Sequence, residues 1–183
     1  MSLPSFPVRA AEVRDVPALL TLVHSAYRGE TSRAGWTTEA DLLDGPRLDA
    51  DLLLAELGDP ATTVLLIEDE HGVLACATLS ERGAGLAYFG MFAVRPLAQG
   101  GGIGSALLEA AEAAARAHGA TLMEMTVISV RADLLAWYAR RGYHPTGESR
   151  PFPYGDERFG LPRRDDLEFS VLRKELGPVT VPE

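Results

Sequence analysis

The stretch Ala93-Val94-Arg95-Pro96-Leu97-Ala98-Gln99-Gly100-Gly101-Gly102-Ile103-Gly104 is the first place to look for chemistry in this chain. A strand-like run ends at Val94, a glycine-rich turn follows, and a helix is expected from Ile103. Glycines let a backbone approach a ligand closely. The first amides of a helix have no internal acceptor, and the helix dipole adds positive charge there. Such a turn suits an anion of the size of a pyrophosphate. Two other phosphate motifs fail. In a dinucleotide fingerprint G-x-G-x-x-G, Ser105 stands where the third glycine belongs, and no lysine follows Gly104 to make a nucleoside-triphosphate loop. Glu124 is the second point of interest. It lies in Leu122-Met123-Glu124-Met125-Thr126-Val127, where a charge in an apolar strand is costly unless paired. It reads either as a general base or as a carboxylate satisfied by an arginine or hydroxyl. His24, His71, His118 and His144 lack metal-ligand spacing, so no metal is expected. No G-x-S-x-G elbow supports a serine hydrolase.

The elements that must position these residues follow from periodicity and punctuation. A strand is expected at Val8 to Ala10 and an amphipathic helix over 16–28, capped by Asp15 ahead of Pro17. Residues 29–38 read as a loop, and 38–44 and 49–57 as short helices. Val64 to Glu68 and Val73 to Ser80 flank the turn Asp69-Glu70-His71-Gly72 as a hairpin, and Leu86 to Val94 completes a meander. A helix over 103–118 ends at Gly119, Thr121 to Ile128 is a buried strand, and a helix over 132–141 stops at Gly142. Asp133 and Ser129 are expected to cap that last helix. Tyr143 to Gly147 and Leu167 to Arg173 are the final strands, separated by a loop over 150–166. The order predicts a single-domain α/β sandwich around one mixed, mostly antiparallel sheet, over residues 1–183.

Composition bounds the partners. At 183 residues, 46% hydrophobic and 23% charged, the chain is globular rather than disordered. The net charge of −9 argues against nucleic acid or an anionic membrane, which call for a basic surface. Eleven acids against two arginines place that whole charge within residues 30–70, either as a solvated face or as a cleft wall that attracts cations. No apolar run has the length of a membrane span, and the first nine residues do not read as a secretion signal. The lone Cys76 excludes an internal disulfide, is expected in the core, and fits a reducing cytoplasm.

Gln99-x-x-Gly102-x-Gly104 at a strand-to-helix turn resembles the acyl-coenzyme A signature of the GNAT superfamily of N-acetyltransferases, (Arg/Gln)-x-x-Gly-x-(Gly/Ala). Met91-Phe92-Ala93-Val94-Arg95-Pro96 resembles the strand leading into that loop. Leu134-Leu135-Ala136-Trp137-Tyr138-Ala139-Arg140-Arg141-Gly142-Tyr143 resembles the family's later helix, and the likeness covers about residues 8–147. It implies acetyl-CoA as co-substrate and direct attack of an amine on its thioester. Phe92, Ala93 and Val94 would line the pantetheine arm in a gap between splayed strands, with backbone pairing at Phe92 and Val94. Gln99, Gly100, Gly101, Gly102, Ile103, Gly104 and Ser105 would wrap the pyrophosphate. The Phe92 amide would donate to the thioester oxygen, and Tyr138 would protonate the leaving thiolate.

Two positions depart from the family pattern. Tyr88 stands where many relatives carry the basic glutamate, which leaves Glu124 as the candidate base. Arg131 replaces an asparagine often found seven residues before the tyrosine. The acceptor end would be flanked by Tyr27, Trp36 and Glu39 on one side. Phe152, Tyr154, Asp156, Glu157 and Phe159 would flank it on the other. Aromatic faces beside carboxylates suit a small cationic amine. A loop pinned by aromatics and stiffened by Pro151 and Pro153 is the other reading. The departure at Tyr88 also keeps open a non-catalytic acyl-CoA-binding module, and a homodimer stays open as well.

Overall fold

The structure is a computed structural model that describes residues 6–35, 38–45 and 47–177, apart from the side chains of Glu30 and Phe159. In chain order the first half comprises β1 (Val8–Ala10), α1 (Val16–Tyr27), α2 (Gly29–Ser32), β2 (Leu43–Asp44), α3 (Ala50–Gly58), β3 (Thr62–Asp69) and β4 (Gly72–Glu81). There follow β5 (Leu86–Val94), α4 (Ile103–Ala117), β6 (Leu122–Ile128), α5 (Ala132–Ala139), β7 (His144–Pro151), β8 (Leu161–Pro162) and β9 (Glu168–Glu175). Seven strands make one sheet in the order β1-β3-β4-β5-β6-β9-β7. Only β5 and β6 run parallel, joined by the α4 crossover; the other neighbours are antiparallel. This is the expected mixed sandwich, with helices on both faces of the sheet.

Alternation along the strands builds those two faces. Leu65 and Ile67 of β3 join Met123, Met125 and Val127 of β6 against Leu107, Leu108 and Ala111 of α4. Val64 and Leu66 turn the other way, to Leu19, Leu22 and Val23 of α1 and Leu53 of α3. Both faces being covered is the reason these strands read as nearly continuous apolar runs. Cys76 is fully buried, and burial pushes its thiol up to about 12. Among the described residues, no helix is long and apolar enough to cross a membrane.

Four local expectations are corrected. Residues 38–44 are not a helix: Leu43–Asp44 pairs with Leu161–Pro162, and Leu43 is buried against Ile128, Phe152 and Leu167. Tertiary pairing outweighs a short segment's helical tendency. The expected 29–38 loop opens with the single turn α2. Asp15 does not cap α1; its carboxylate takes two bonds from Arg9, at 2.7 and 2.9 Å, and one from the Glu12 amide. Asp133 likewise pairs with Arg131, and Ser129 bonds Ser170, so α5 has no side-chain cap. In both aspartates a guanidinium offers stronger, charge-assisted bonds than a helix amide does.

A buried carboxylate fastens α4 to β9, the strand next to the sheet's β7 edge. Glu112 of α4 accepts from Lys174 of β9 at 2.7 and 2.8 Å and from the Tyr143 hydroxyl at 2.9 Å. Glu112→Ala strands that ammonium and phenol together. The expected loss is about 3 kcal/mol in urea unfolding, the scale of breaking a buried pair from one side. Adding Lys174→Met to that variant recovers part of the loss.

Candidate active site

Three register pairs join β5 to β6, namely Leu86–Leu122, Ala87–Met123 and Tyr88–Glu124. Beyond them β5 runs on to Val94 and β6 to Ile128 without pairing to each other. The cause lies on the β4 side. Thr78 faces Gly90 but Cys76 faces Ala93, so β5 carries one extra residue over this interval. That is a β-bulge, which bends the strand that holds it. Met91 adopts φ +46°, a strained backbone for a side chain of its kind, costing roughly 1–3 kcal/mol. The bulge also shifts the alternation. Phe89 and Phe92, three positions apart, enter the same cluster beneath α4, whereas an unbroken strand would send them to opposite faces. The expected splay of the two strands is therefore present, and the bulge is its origin.

The turn after β5 supplies one end of this wedge. Gly100 and Gly102 have φ of +91° and +82°, and a Cβ at either would meet open space. Gly102 is also the N-cap of α4, with no side chain over the helix start. Gly104 is needed for a different reason: a Cβ there would lie 2.9 Å from Phe92 Cζ and 3.6 Å from Trp137. Val94, Gln99, Gly100, Gly102, Ile103, Gly104 and Ser105 line one cavity of about 480 Å³. Ala93 and Gly101 do not line it; Ala93 faces the α1 side, fully buried. The Gln99 side-chain amide donates to the Val94 carbonyl at 3.0 Å, so that carbonyl already has a partner.

Arginines complete that cavity, and sequence reasoning gave them no role. Arg140 and Arg141 both line it. Arg141 stacks 3.5 Å over the Trp137 ring and donates to Ser105 Oγ at 2.7 Å. Burial, then the neighbouring Arg140, lowers the Arg141 pKa. Two guanidinium groups and the start of α4 thus line one cavity, an arrangement of the kind that suits an anion. The available signal was the arginine pair directly ahead of Gly142, one helical turn past Trp137.

A second cavity, of about 190 Å³, holds Tyr27, Glu39, Arg47, Tyr88, Phe92, Arg131 and Tyr138. Tyr138 packs edge-on to Trp137, with ring centroids 5.0 Å apart, and lies 6.4 Å from Phe92. Burial first, and Tyr27 next, raise its pKa well above the ordinary phenol value. A third cavity, of about 470 Å³, opens between α3 and β5 and shares Arg47, Tyr88, Gly90 and Met91 with the second. Glu56 and Arg158 line it, and neither was singled out from sequence.

The expected acceptor residues divide. Tyr27 and Glu39 reach the Tyr138 cavity, whereas Trp36 and the Phe159 side chain lie outside the described residues. Glu39 is already bound by Arg28, at 2.6 Å in a buried pair, with Arg47 at 3.5 Å. Its charge is thus neutralised within the protein, which removes one support of the cation-attracting wall. Phe152 is buried against Leu43 and stacks on Phe169, and the Tyr154 hydroxyl bonds Arg164 O and the Leu167 amide. Asp156 pairs with Arg158, and Glu157 faces solvent. These contacts pin the 150–166 loop, and none of Phe152, Tyr154, Asp156 and Glu157 lines the Tyr138 cavity.

Glu124 is separated from Tyr138 as well. It is buried, does not line the Tyr138 cavity, and accepts from Arg150 and Arg173, each at 2.8 Å. Burial opposes its charge, but the bonds from Arg173 and Arg150 outweigh it and hold the carboxyl below the usual range. A depressed pKa stabilises the fold above the unfolded-state value, and that contribution is lost as pH falls through the folded one. Glu124→Gln is therefore expected to lower the urea midpoint at neutral pH. The difference from wild type should narrow once the pH drops below the ordinary glutamate range.

Comparison with known proteins places this arrangement. The family model described as Acetyltransferase (GNAT) family matches residues 21–143. No curated protein matches. Among solved structures, the ribosomal-protein-S18-alanine N-acetyltransferase from Escherichia coli superposes with TM-score 0.70 at 16% identity, covering 96% of this chain and 97% of that one. The ribosomal-protein-alanine N-acetyltransferase from Brucella melitensis gives 0.67 at 20% identity, over 92% and 99%. The protein yncA from Salmonella typhimurium, solved with its cofactor acetyl-CoA, gives 0.68 at 19% identity, over 98% and 99%. With a bulge-split sheet and a glycine loop facing two arginines, and with the family model matched over most of its length, this chain belongs to the GNAT acetyltransferase family, whose acyl donor is acetyl-CoA.

Proposed function

We propose that this chain moves an acetyl group from acetyl-CoA to a primary amine of a small molecule by direct attack. The observation that carries the reading is the unpaired wedge between β5 and β6, with the anion-binding loop at one end and Tyr138 beside it. The residues present suit the donor. Bare amides at the start of α4 and the guanidinium groups of Arg140 and Arg141 would hold its phosphates, and open space at Gly100 and Gly102 leaves room for them. Acetyl-CoA, when bound, supplies the acetyl group as a thioester.

The remaining roles fall to the chain's own groups. The bulge at Gly90–Met91 turns backbone into the wedge, where the Phe92 amide would donate to the developing oxyanion. Tyr138 would hold a proton for the departing sulfur. Its raised pKa keeps it protonated until a base forms next to it, and burial raises the basicity of a thiolate in the same way. Glu124, tied to two arginines, would fix β6 against β7 and β9 rather than take a proton. A single catalytic domain over residues 1–183 and a cytoplasmic setting that keeps Cys76 reduced belong to the same proposal.

Release of coenzyme A in the presence of a primary-amine panel, with products identified by mass spectrometry, tests the reading. Binding of acetyl-CoA without release to any amine would favour the acyl-CoA-binding module instead. Gly102→Asp should abolish acetyl-CoA binding in calorimetric titration, because its carboxylate would fill the open space and repel the phosphates. Wild-type affinity in the folded variant would remove the loop from the site. Tyr138→Phe should lower kcat by ~10²-fold while leaving acetyl-CoA affinity nearly unchanged. Turnover at the wild-type rate would assign the thiolate's proton to another donor.

A further inference from the structure

The transferase reading leaves the acceptor amine without a base. An amine is mostly protonated near neutral pH and must lose a proton before it can attack. Tyr88 stands at the strand position of the family's glutamate, where its hydroxyl bonds Thr126 at 2.7 Å, and Glu124 is held by Arg150 and Arg173. We propose that Glu56 of α3 is the general base of the reaction, taking its proton from the ammonium of an acceptor seated between α3 and the bulge of β5. This rests on the transferase reading above.

Placement is the first support. Glu56 lines the cavity of about 470 Å³ together with Arg47, Tyr88, Gly90 and Met91, and those four also line the cavity of Tyr138. An amine in the larger cavity thus meets the bulge, and the wedge beyond it, from the side opposite the glycine loop. The second support is the state of the carboxyl. Glu39, Glu112 and Glu124 are all bound by cations. By contrast, Glu56 Oε2 is sealed from solvent and has no hydrogen-bond partner among the described residues. A carboxylate oxygen left in that condition favours the protonated form, which makes it a better base toward an ammonium. Burial accordingly raises the Glu56 pKa, with Arg47 opposing.

Of the other charged and titratable groups around it, Arg47 also keeps a buried nitrogen, Nε, without a hydrogen-bond partner among the described residues, while the rest are engaged. Asp59 is engaged by Thr62 and the Ala61 amide, and Arg158 by Asp156. The Cys76 thiol stays protonated up to about 12, and Arg47 lies over the Tyr27 ring and reaches toward Glu39. Glu56 is the carboxyl in this cavity with an oxygen still lacking a donor.

The protons and bonds balance as follows. Glu56 takes one proton from the ammonium and becomes neutral. The amine nitrogen bonds to the acetyl carbon while the carbon–sulfur bond breaks, and Tyr138 gives its proton to the sulfur. The nitrogen's surplus proton, shed as the amide forms, restores the phenol. Glu56 then releases its own proton to solvent, and the products are an amide, coenzyme A and one proton.

The test measures kcat/KM against pH for wild type, Glu56→Gln and Glu56→Asp. Acetyl-CoA is the donor, and the panel spans polyamines, amino acids, aryl amines and a peptide N-terminus. Glu56→Gln should lose ~10²-fold at neutral pH and recover as the pH approaches the amine's own pKa, where a base is no longer needed. Glu56→Asp should keep the wild-type profile at a reduced rate, and acetyl-CoA affinity by calorimetry should not change in either variant. In a ¹³C-carboxyl titration, the resonance missing from Glu56→Gln should titrate above the ordinary glutamate value. A wild-type profile in Glu56→Gln, a loss of acetyl-CoA affinity, or titration of that resonance in the ordinary range overturns the role of Glu56 alone. A wild type that binds acetyl-CoA but acetylates no amine overturns the transferase reading, and this role with it.

Discussion

One extra residue in β5 governs the site. The bulge at Gly90–Met91 ends the pairing of β5 with β6 after three residues, although both strands continue. It costs backbone strain at Met91 and forfeits ladder hydrogen bonds in the middle of a sheet. The surrounding structure offsets that cost. β4 holds β5 on one side, α4 packs on Phe89 and Phe92 from above, and Gly104 lets α4 come close enough to do so. Stored strain of this kind persists where packing over-determines the backbone, and it concentrates at functional sites.

Arginines organise the polar side of the same site. Arg140 and Arg141 face the glycine loop, Arg28 and Arg47 neutralise Glu39, and Arg150 and Arg173 neutralise Glu124. In a chain with net charge −9, these six arginines gather around the two cavities and the buried carboxylates. The consequence for chemistry is selective. Carboxylates bound by guanidinium groups stay ionised and are poor bases.

The sequence by itself determined the order of the long elements, the two-faced sheet and the glycine turn between β5 and α4. Each of these is a local pattern. Apolar alternation and runs fix which face a strand buries, glycine punctuates strand and helix ends, and Gln99-x-x-Gly102-x-Gly104 encodes a turn within a few residues. The segments it misjudged are short, and long-range partners decide them. Leu43–Asp44 is a strand because Leu161–Pro162 lies beside it, and Asp15 and Asp133 abandon their helix caps for Arg9 and Arg131.

Only the tertiary structure decided which carboxylates are committed. Glu124 looked anomalous in sequence because a charge in an apolar strand is rare, yet its partners Arg150 and Arg173 lie on β7 and β9, far along the chain. Glu56 looked ordinary, one acid among eleven in a charged segment. Its lack of a donor, and the cavity it shares with the bulge, exist only once α3 is laid against β5. Spacing records how close residues are along the chain, whereas protonation depends on what surrounds a group in space.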